Sequence, residues 1–185
     1  AYLRSAYYFN TELSDTETEL AFMRSLRPSG AVQALIAGID VSNCIGVHVR
    51  MEGAPGLDHQ PYDAPENWPA RDHETIQQWR EQSHYSRFIA RVDELLANDP
   101  TLRIFLAADM AEAYEAFVER YGDRVLYLKR ERFDRSSEQL LYALADAILL
   151  SRVPILLGST WSSFSELAMR LAQGPQQVEF SGKDF

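Results

Sequence analysis

Apolar and polar residues alternate most regularly between Cys44 and Arg50, and this alternation predicts a short buried strand. The apolar positions of the stretch are Ile45, Val47 and Val49. Since successive side chains of a strand point to opposite faces, His48 and Arg50 share the face opposite to that apolar set. They also lie at the carboxyl end of the strand, where open α/β sheets bind their ligands. The simpler interpretation of such a pair is a satisfied histidine beside a surface salt bridge.

Four further apolar runs predict strands, and helical periodicity fills the intervals between them. The further strands are Leu102–Ala107, Val125–Leu128, Val153–Leu157 and Gln177–Phe180. The expected helices cover residues 14–26, 28–39, 73–96 with a break near Ser83, 111–121, 136–149 and 162–172. Residues 1–9 are expected to be a strand or the tail of an earlier element. Because strands alternate with helices, the fold class is α/β, a single Rossmann-like parallel sheet with flanking helices over residues 1–185.

Local signals predict where the helices begin and which faces they bury. Ser14 precedes Glu17 by three residues, the spacing of a capping box, and Pro28 suits the first turn of the second helix. The first helix is expected to bury Leu20, Met23 and Leu26. The helix capped by Ser136 or Ser137 is expected to bury the stripe Leu140, Leu141, Leu144 and Ile148. Asp146 lies outside that stripe.

The segment Met51–Arg71 contains four prolines and two glycines and predicts a long irregular loop. Long loops inside compact domains are usually functional or disordered, and this one begins directly after Arg50. Its carboxylates at Glu52, Asp58 and Asp63 are expected to be solvated. The alternative is that loop closure delivers one of them as an acid or base.

Composition narrows the set of partners. The chain has 18 basic and 27 acidic residues, a net charge of −9. This argues against nucleic acid and anionic membrane surfaces, because both require a basic footprint. Cys44 is the only cysteine, so the sequence fits a reducing, cytoplasmic compartment. No apolar run approaches the ~20 residues of a membrane span, and no signal peptide is visible.

The carboxyl ends of the parallel strands are expected to bring several polar segments to one edge of the sheet. These segments are Arg50, Asp109, the loop after Leu128, and Gly158–Ser163. The last contains four hydroxyl side chains and precedes a helix, whose unpaired N–H groups and dipole favour an anion such as phosphate. The alternative is that its serines only cap the helix.

The sequence allows more than one role for each of two aspartates. Asp109 ends an otherwise apolar strand, where it would contact a ribose, a base or a sugar hydroxyl, or would N-cap the following helix. Asp146 would be solvated, or would accept the paired N–H donors of a guanine edge. The chain contains no Gly-x-Gly-x-x-Gly, Walker lysine, Gly-x-Ser-x-Gly or Asp-x-Asp motif. Its four histidines lack metal-ligand spacing, so we predict no metal.

Four short motifs, in order along the chain, resemble the α1,6-/protein O-fucosyltransferase superfamily, which includes the nodulation fucosyltransferases. They are Ile45–Arg50 with its His-x-Arg, Ile104–Asp109, Leu144–Ser151 with its aspartate, and Gly158–Phe164 with its Ser-Ser-Phe turn. The resemblance implies one half of a GT-B glycosyltransferase fold, the C-terminal, donor-binding half, with the N-terminal half absent from these 185 residues. It also implies inverting transfer of fucose from GDP-fucose without a metal or other cofactor.

The same resemblance implies roles for individual residues. The expected donor-binding residues are His48, Arg50, Asp109, Asp146, Ser162, Ser163 and Phe164. Within this set, His48 and Arg50 would hold the β-phosphate, and Asp146 would read guanine. Arg50 and Asp58 are the expected catalytic residues. Two positions depart from the pattern: Gly53 stands where some relatives have an aspartate, and Met51 where certain members have a second arginine.

Three functional interpretations follow from the sequence. The first is a glycosyltransferase-like domain that binds a GDP-sugar, with an unknown glycan, lipid or protein acceptor and a missing N-terminal domain as partners. The second is a non-catalytic nucleotide-sugar-binding or partner-binding α/β module, so whether the chain is an enzyme stays open. The third is a receiver-like or structural α/β protein, in which His48 and Arg50 are incidental.

Overall fold

A five-stranded parallel sheet with β1 in its centre forms the core of the chain. The computed structural model describes residues 12, 14–51, 66, 68–133 and 136–185. The strands are β1 (Cys44–Val49), β2 (Arg103–Ala108), β3 (Val125–Leu126), β4 (Ile155–Gly158) and β5 (Gln177–Phe180). They are arranged in the order β3-β2-β1-β4-β5, and every neighbouring pair is parallel. The strand that carries His48 therefore has hydrogen-bonded neighbours on both sides.

Seven α-helices are found in the described part of the chain, and most of them cover the two faces of the sheet. They are α1 (Thr16–Ser25), α2 (Gly30–Ile36), α3 (Ala70–Gln82), α4 (Tyr85–Asn98), α5 (Ala111–Tyr121), α6 (Ser137–Leu150) and α7 (Ser163–Leu171). No described helix is both long and apolar enough to cross a membrane. The predicted fold class, a single Rossmann-like parallel sheet with flanking helices, is confirmed.

Each face of the sheet has its own hydrophobic core. On one face, Ile45, Val47 and Val49 of β1 pack with buried side chains of α4 and α5. The other face is covered by buried side chains of α2, α6 and α7. Because both faces are buried, β1 has no solvent-facing side, and its polar member His48 lies inside the protein with 6% of its surface exposed.

Gly46 sets how closely α6 approaches the sheet. A β-carbon at this position would lie 2.7 Å from Cγ2 of Val153 and 3.0 Å from Cδ2 of Leu150. Both partners are buried at the end of α6 and just after it. Glycine is required here for close approach rather than for an unusual backbone conformation.

Several local predictions were wrong, each for a physical reason. Asp15, not Ser14, caps α1: its carboxylate accepts the Thr18 N–H at 3.1 Å, an arrangement that the helix dipole favours. Helix α2 begins at Gly30 behind the cap Ser29, so Pro28 precedes it. Helix α1 buries none of its residues.

The predicted inward face of α6 was right only in part, since Leu141 and Ile148 are partly buried against the core but other members of the stripe are not. Its buried residues are Gln139, Ala145, Asp146, Ala147, Leu149 and Leu150. Leu140 and Leu144 instead face outward, with 61% and 38% of their surfaces exposed. A helix that is apolar nearly all round carries no clear stripe, so its periodicity could not identify the side that packs on the sheet.

Candidate functional site

The carboxyl ends of β1 and β2 meet in an ion pair. Arg50, directly after β1, donates from its guanidinium to Asp109 Oδ2 at 3.1 Å, and the other carboxylate oxygen accepts the Met51 N–H at 3.2 Å. Met110 occupies the N-cap position of α5, so the interpretation of Asp109 as a helix cap is wrong. The two side chains are 21% and 15% exposed, so this guanidinium lies at the edge of the sheet within reach of solvent.

Ser159, after β4, fixes the backbone at the end of β1. Its hydroxyl accepts the Arg50 N–H at 2.8 Å and donates to the His48 carbonyl at 3.0 Å. The register between β1 and β4 ends at Val47 and Leu157. The fully buried Ser159 side chain therefore continues the connection between β4 and β1 beyond the last paired residues, by bonding two backbone groups of β1 and its end.

A second buried serine, Ser165 on α7, holds the His48 ring. Its Oγ lies 2.7 Å from His48 Nδ1 and accepts the Ser159 N–H at 3.1 Å. The Ser159 amide already donates to this oxygen, and the structure describes no further acceptor for its proton. If Nδ1 is the acceptor, the buried Ser165 hydroxyl proton also gains a partner, so this geometry favours donation from Oγ to Nδ1. This assigns the ring proton of a neutral His48 to Nε2, for which the described residues provide no partner.

The His48 imidazole is held in its neutral form. Burial, the charge of Arg50 and the charge of Arg80 lower its pKa to about 3, with burial the largest cause. The Phe164 ring stacks on it, with centroids 4.5 Å apart and an interplanar angle of 26°. At neutral pH, His48 is thus an oriented, uncharged N–H donor next to a guanidinium.

The N-terminus of α7 adjoins this pair. Ser162 occupies its N-cap position but makes no side-chain capping bond, so the alternative that the serines only cap the helix was wrong for this residue. Trp161, just before it, has a φ of +56°, a conformation that costs a residue with a side chain about 1–3 kcal/mol and that often occurs at functional sites. Because Phe164 and Ser165 contact His48, the first turn of α7 is directed at the end of β1.

Gly158 permits this approach of α7. A β-carbon there would lie 3.0 Å from the Ser165 Cβ and Oγ and 3.1 Å from Cε1 of Phe180. Any larger residue would push the helix away from the end of β4, and with it the hydroxyl that holds His48.

Asp146 lies in a separate buried ion pair, so the prediction that it is solvated was wrong. Its Oδ2 accepts from Arg130, and the two side chains are 3% and 8% exposed. Burial raises the pKa of the Asp146 carboxyl, and the adjacent guanidinium opposes that shift. Its second oxygen, Oδ1, is buried without a hydrogen-bond partner among the described residues. Burial and the nearby charge of Asp146 raise the pKa of the Tyr114 phenol, whose oxygen is hydrogen-bonded to the Ala108 backbone.

The structure brings most of the predicted donor-binding residues together. His48, Arg50 and Asp109 are joined by direct contacts or along β1, and Phe164 on α7 stacks on His48, next to Ser162 and Ser163. Asp58 and most of the predicted loop, 52–65 and 67, lie outside the described residues, as do residues 1–9.

Ser159 and Arg130 lie in two segments that the sequence placed at this edge, Gly158–Ser163 and the loop after Leu128, but neither residue was assigned a role of its own. Ser165 was missed altogether. Ser165 carried no such signal, because a serine inside a helix is ordinarily exposed or bonded to its own backbone. Within the described ranges, no cluster of three His, Cys, Asp or Glu side chains could hold a metal ion.

Neither a family model nor a curated protein sequence matches the chain. Solved structures do match its fold. It is similar to NodZ alpha-1,6-fucosyltransferase soaked with GDP-fucose, with a TM-score of 0.57, 19% identity, and coverage of 86% of this chain and 48% of that one. Fucosyltransferase NodZ from Bradyrhizobium matches with a TM-score of 0.56 and 19% identity, over 84% and 46% of the two chains. POFUT1 in complex with GDP-fucose matches with a TM-score of 0.52 and 17% identity, over 90% and 50%.

The chain therefore spans about half the length of the fucosyltransferases that it resembles. At these identities the likeness concerns the fold. It confirms the resemblance to this group of enzymes as a likeness of structure, to a fold that covers about half of each GT-B fucosyltransferase. Solved members of the group hold GDP-fucose or GDP.

Proposed function

We propose that this chain is the donor-binding half of a glycosyltransferase that uses a GDP-sugar, with GDP-fucose as the donor. One observation carries the proposal: the Arg50 guanidinium, the neutral His48 imidazole and the first turn of α7 converge at the carboxyl end of the central strand. Three kinds of N–H donor in one place suit the diphosphate of a nucleotide sugar.

The chemistry proposed for this arrangement is stabilisation of the leaving group. When the bond between the sugar and the β-phosphate breaks, negative charge grows on the phosphate oxygens and positive charge on the sugar. A fixed guanidinium and oriented N–H groups stabilise that phosphate more strongly in the transition state than in the donor. One such contact is typically worth roughly 10²–10³ in rate, so Arg50 and His48 can take the part that a metal plays in other transferases.

The remaining roles are proposals of the same kind. Ser162, Ser163 and Phe164 would contact the phosphates and one face of the nucleotide. Asp146 would read guanine, because a carboxylate can accept the paired N–H donors of a guanine edge. Asp58 would take the proton from the attacking hydroxyl of the acceptor, which displaces GDP with inversion at the sugar carbon.

A second candidate function is a non-catalytic nucleotide-sugar-binding or partner-binding module. The observation that favours it is the ion pair between Arg50 and Asp109, because a carboxylate beside the guanidinium offsets part of the charge that a leaving phosphate would need. Measuring GDP release in the presence of candidate acceptors separates the two candidates. Release above the rate of spontaneous donor hydrolysis supports the transferase.

The binding proposal is tested by calorimetry with GDP, ADP and UDP on the wild type and on Arg50→Ala. We expect selective GDP binding in the wild type. Loss of a paired, partly buried charge weakens binding by about 2–5 kcal/mol, so Arg50→Ala should bind GDP at least roughly 30-fold more weakly. Its melting temperature should stay within about 5 °C of the wild type.

Arg103→Ala is the matched control, because this exposed arginine lies at the opposite end of the sheet, where β2 begins. It should bind GDP as the wild type does. If Arg50→Ala also binds GDP normally, the phosphate site is not where we place it. Equal affinity for the three nucleotides would remove the guanine-reading role of Asp146.

A further inference from the structure

An open cavity of about 860 Å³ lies at the opposite, amino-terminal edge of the sheet, away from Arg50 and His48. It is enclosed by α1, α6, α7 and the chain just before β4 and β5. The large apolar side chains of its wall are Met23, Leu26, Leu144, Ile148, Leu167 and Leu171. Leu144 belongs to the apolar face of α6 that does not pack on the sheet. The volume falls within the range of small-molecule sites.

In the described part of the chain, the charged side chains of the cavity all have one sign. Arg24, Arg27 and Arg152 line it, and no described aspartate or glutamate does. Among the described residues, none of these three guanidinium groups is in an ion pair, and only Arg24 has a side-chain hydrogen bond, to the Arg170 carbonyl. In a chain with 27 acidic and 18 basic residues, three such arginines at one cavity form a local positive field.

The negative ends of the nearby helix dipoles are too weak to balance the positive charge of these three arginines. Helices α1, α6 and α7 end at Ser25, Leu150 and Leu171, beside the cavity. Each helix end carries about half a negative charge, roughly −1.5 for the three. The three guanidinium groups carry +3, so positive charge remains for a ligand.

From this combination we infer a second binding site, for a monomeric amphipathic anion: a molecule with one acidic head group and an apolar body. The head group would pair with Arg27 and Arg152, both exposed beside the cavity, and the apolar body would occupy the space between α1, α6 and α7. The site is independent of the proposed GDP-sugar site, which lies at the other edge of the sheet.

Straight-chain fatty acids are suitable probes. Calorimetry with octanoate, decanoate and dodecanoate, each below its micelle concentration, should show binding that strengthens about tenfold for every two methylenes. Decyltrimethylammonium has a similar body and the opposite charge, and it should bind at least about tenfold more weakly than decanoate. Equal binding of the two decyl compounds would overturn the inference, as would affinity that does not depend on chain length.

The double variant Arg27→Gln/Arg152→Gln should weaken decanoate binding at least about tenfold while leaving GDP binding unchanged. Arg87→Gln is the matched control, an exposed arginine of α4 on the other face of the sheet. Thermal melting checks that each variant is folded. The inference fails if the double variant binds decanoate like the wild type, or if the wild type binds phosphatidylglycerol vesicles but not decanoate. A third outcome also contradicts the inference: the wild type self-associates, and Leu144→Glu abolishes this self-association but leaves decanoate binding unchanged. The apolar wall of the cavity would then be an interface between two copies of the chain.

Discussion

The hydrogen bonds around His48 give a single residue both an orientation and a protonation state. Ser165 holds Nδ1, Phe164 stacks on the ring, and burial keeps the ring neutral. A buried histidine that only filled space would need neither a fixed tautomer nor a charged neighbour on its own strand. The arrangement directs Nε2–H towards the region in which we place a phosphate.

Replacing Ser165 with alanine tests the tautomer directly. In the wild type, ¹⁵N NMR of the imidazole should show a protonated Nε2 and an unprotonated Nδ1. In Ser165→Ala this preference should be lost, and unfolding should become easier by about 1–3 kcal/mol, because the Ser159 N–H and Nδ1 lose a buried partner. Ser163→Ala, on the same helix, should leave the ring signals unchanged. A wild-type ring protonated on Nδ1 would contradict the assignment.

The low pKa of His48 predicts a specific loss of stability in acid. Unfolded histidine binds a proton below about pH 6.5, whereas folded His48 does so only near pH 3. The contribution of neutral His48 to the free energy of unfolding is therefore fully present above pH 6.5. It falls between pH 6.5 and about 3, by up to about 1.4 kcal/mol per pH unit. Asp146, whose pKa is raised, acts in the opposite direction.

The measurement is urea unfolding of wild type and His48→Asn between pH 7.5 and 5. The difference between their free energies of unfolding should shrink as the pH falls, because the variant lacks the titrating ring. Asp146 is present in both proteins and cancels in this difference. A difference that stays constant with pH would mean that folded His48 titrates normally.

At the scale of elements, the site depends on how closely α7 packs on the end of β4. Gly158 leaves the space, and Ser165 and Phe164 use it to reach His48. The same kind of contact, at Gly46, seats α6 on β1. The absence of a side chain at these two glycines thus allows α7 and α6 to pack closely against the sheet.

Gly158→Ala should therefore affect the site as well as stability. Its methyl group would overlap Ser165, so we expect a loss of about 1–3 kcal/mol in unfolding free energy and a several-fold weaker affinity for GDP. Gly174→Ala is the control, since a β-carbon there meets nothing within 4 Å. Chemical denaturation and GDP calorimetry measure the two effects. Unchanged GDP affinity in a destabilised Gly158→Ala would show that the position of α7 does not set the site.

At the scale of the whole molecule, the site has to work against the charge of the chain. A net charge of −9 repels a nucleotide diphosphate, so binding depends on a few local donors. The sequence has no Asp-x-Asp motif to recruit a divalent metal as a counterion. In our proposal Arg50, His48 and the amides of α7 supply all of the compensation.

Metal chelation tests this idea. We expect the GDP affinity measured by calorimetry to be the same with EDTA as with added magnesium or manganese, because arginine rather than a metal would neutralise the phosphates. A chelex-treated sample without EDTA is the control for direct effects of the chelator. Binding that occurs only with a divalent ion would contradict the proposed mechanism.

The order of elements and the edge that carries the site could be predicted from the sequence. Alternation in Cys44–Val49 and helical spacing between the strands are local patterns, and they indicate a parallel sheet whose strand ends meet at one edge. The order of the strands within the sheet was not predicted. The His-x-Arg pair, the turn at Gly158–Ser163 and Asp109 were identified by this logic. The predicted roles of Asp58 and of the donor-binding set stay predictions.

The partners of these residues were decided by tertiary structure alone. Asp109 could cap a helix or pair with Arg50, and only the neighbouring positions of β1 and β2 favour the ion pair. Asp146 on a nearly uniformly apolar helix became buried because Arg130, sixteen residues earlier, lies beside it. Ser165 contacts His48 across 117 residues of sequence. Local pattern encodes which face a side chain takes, whereas long-range contacts depend on how several elements pack together, which no short stretch of sequence contains.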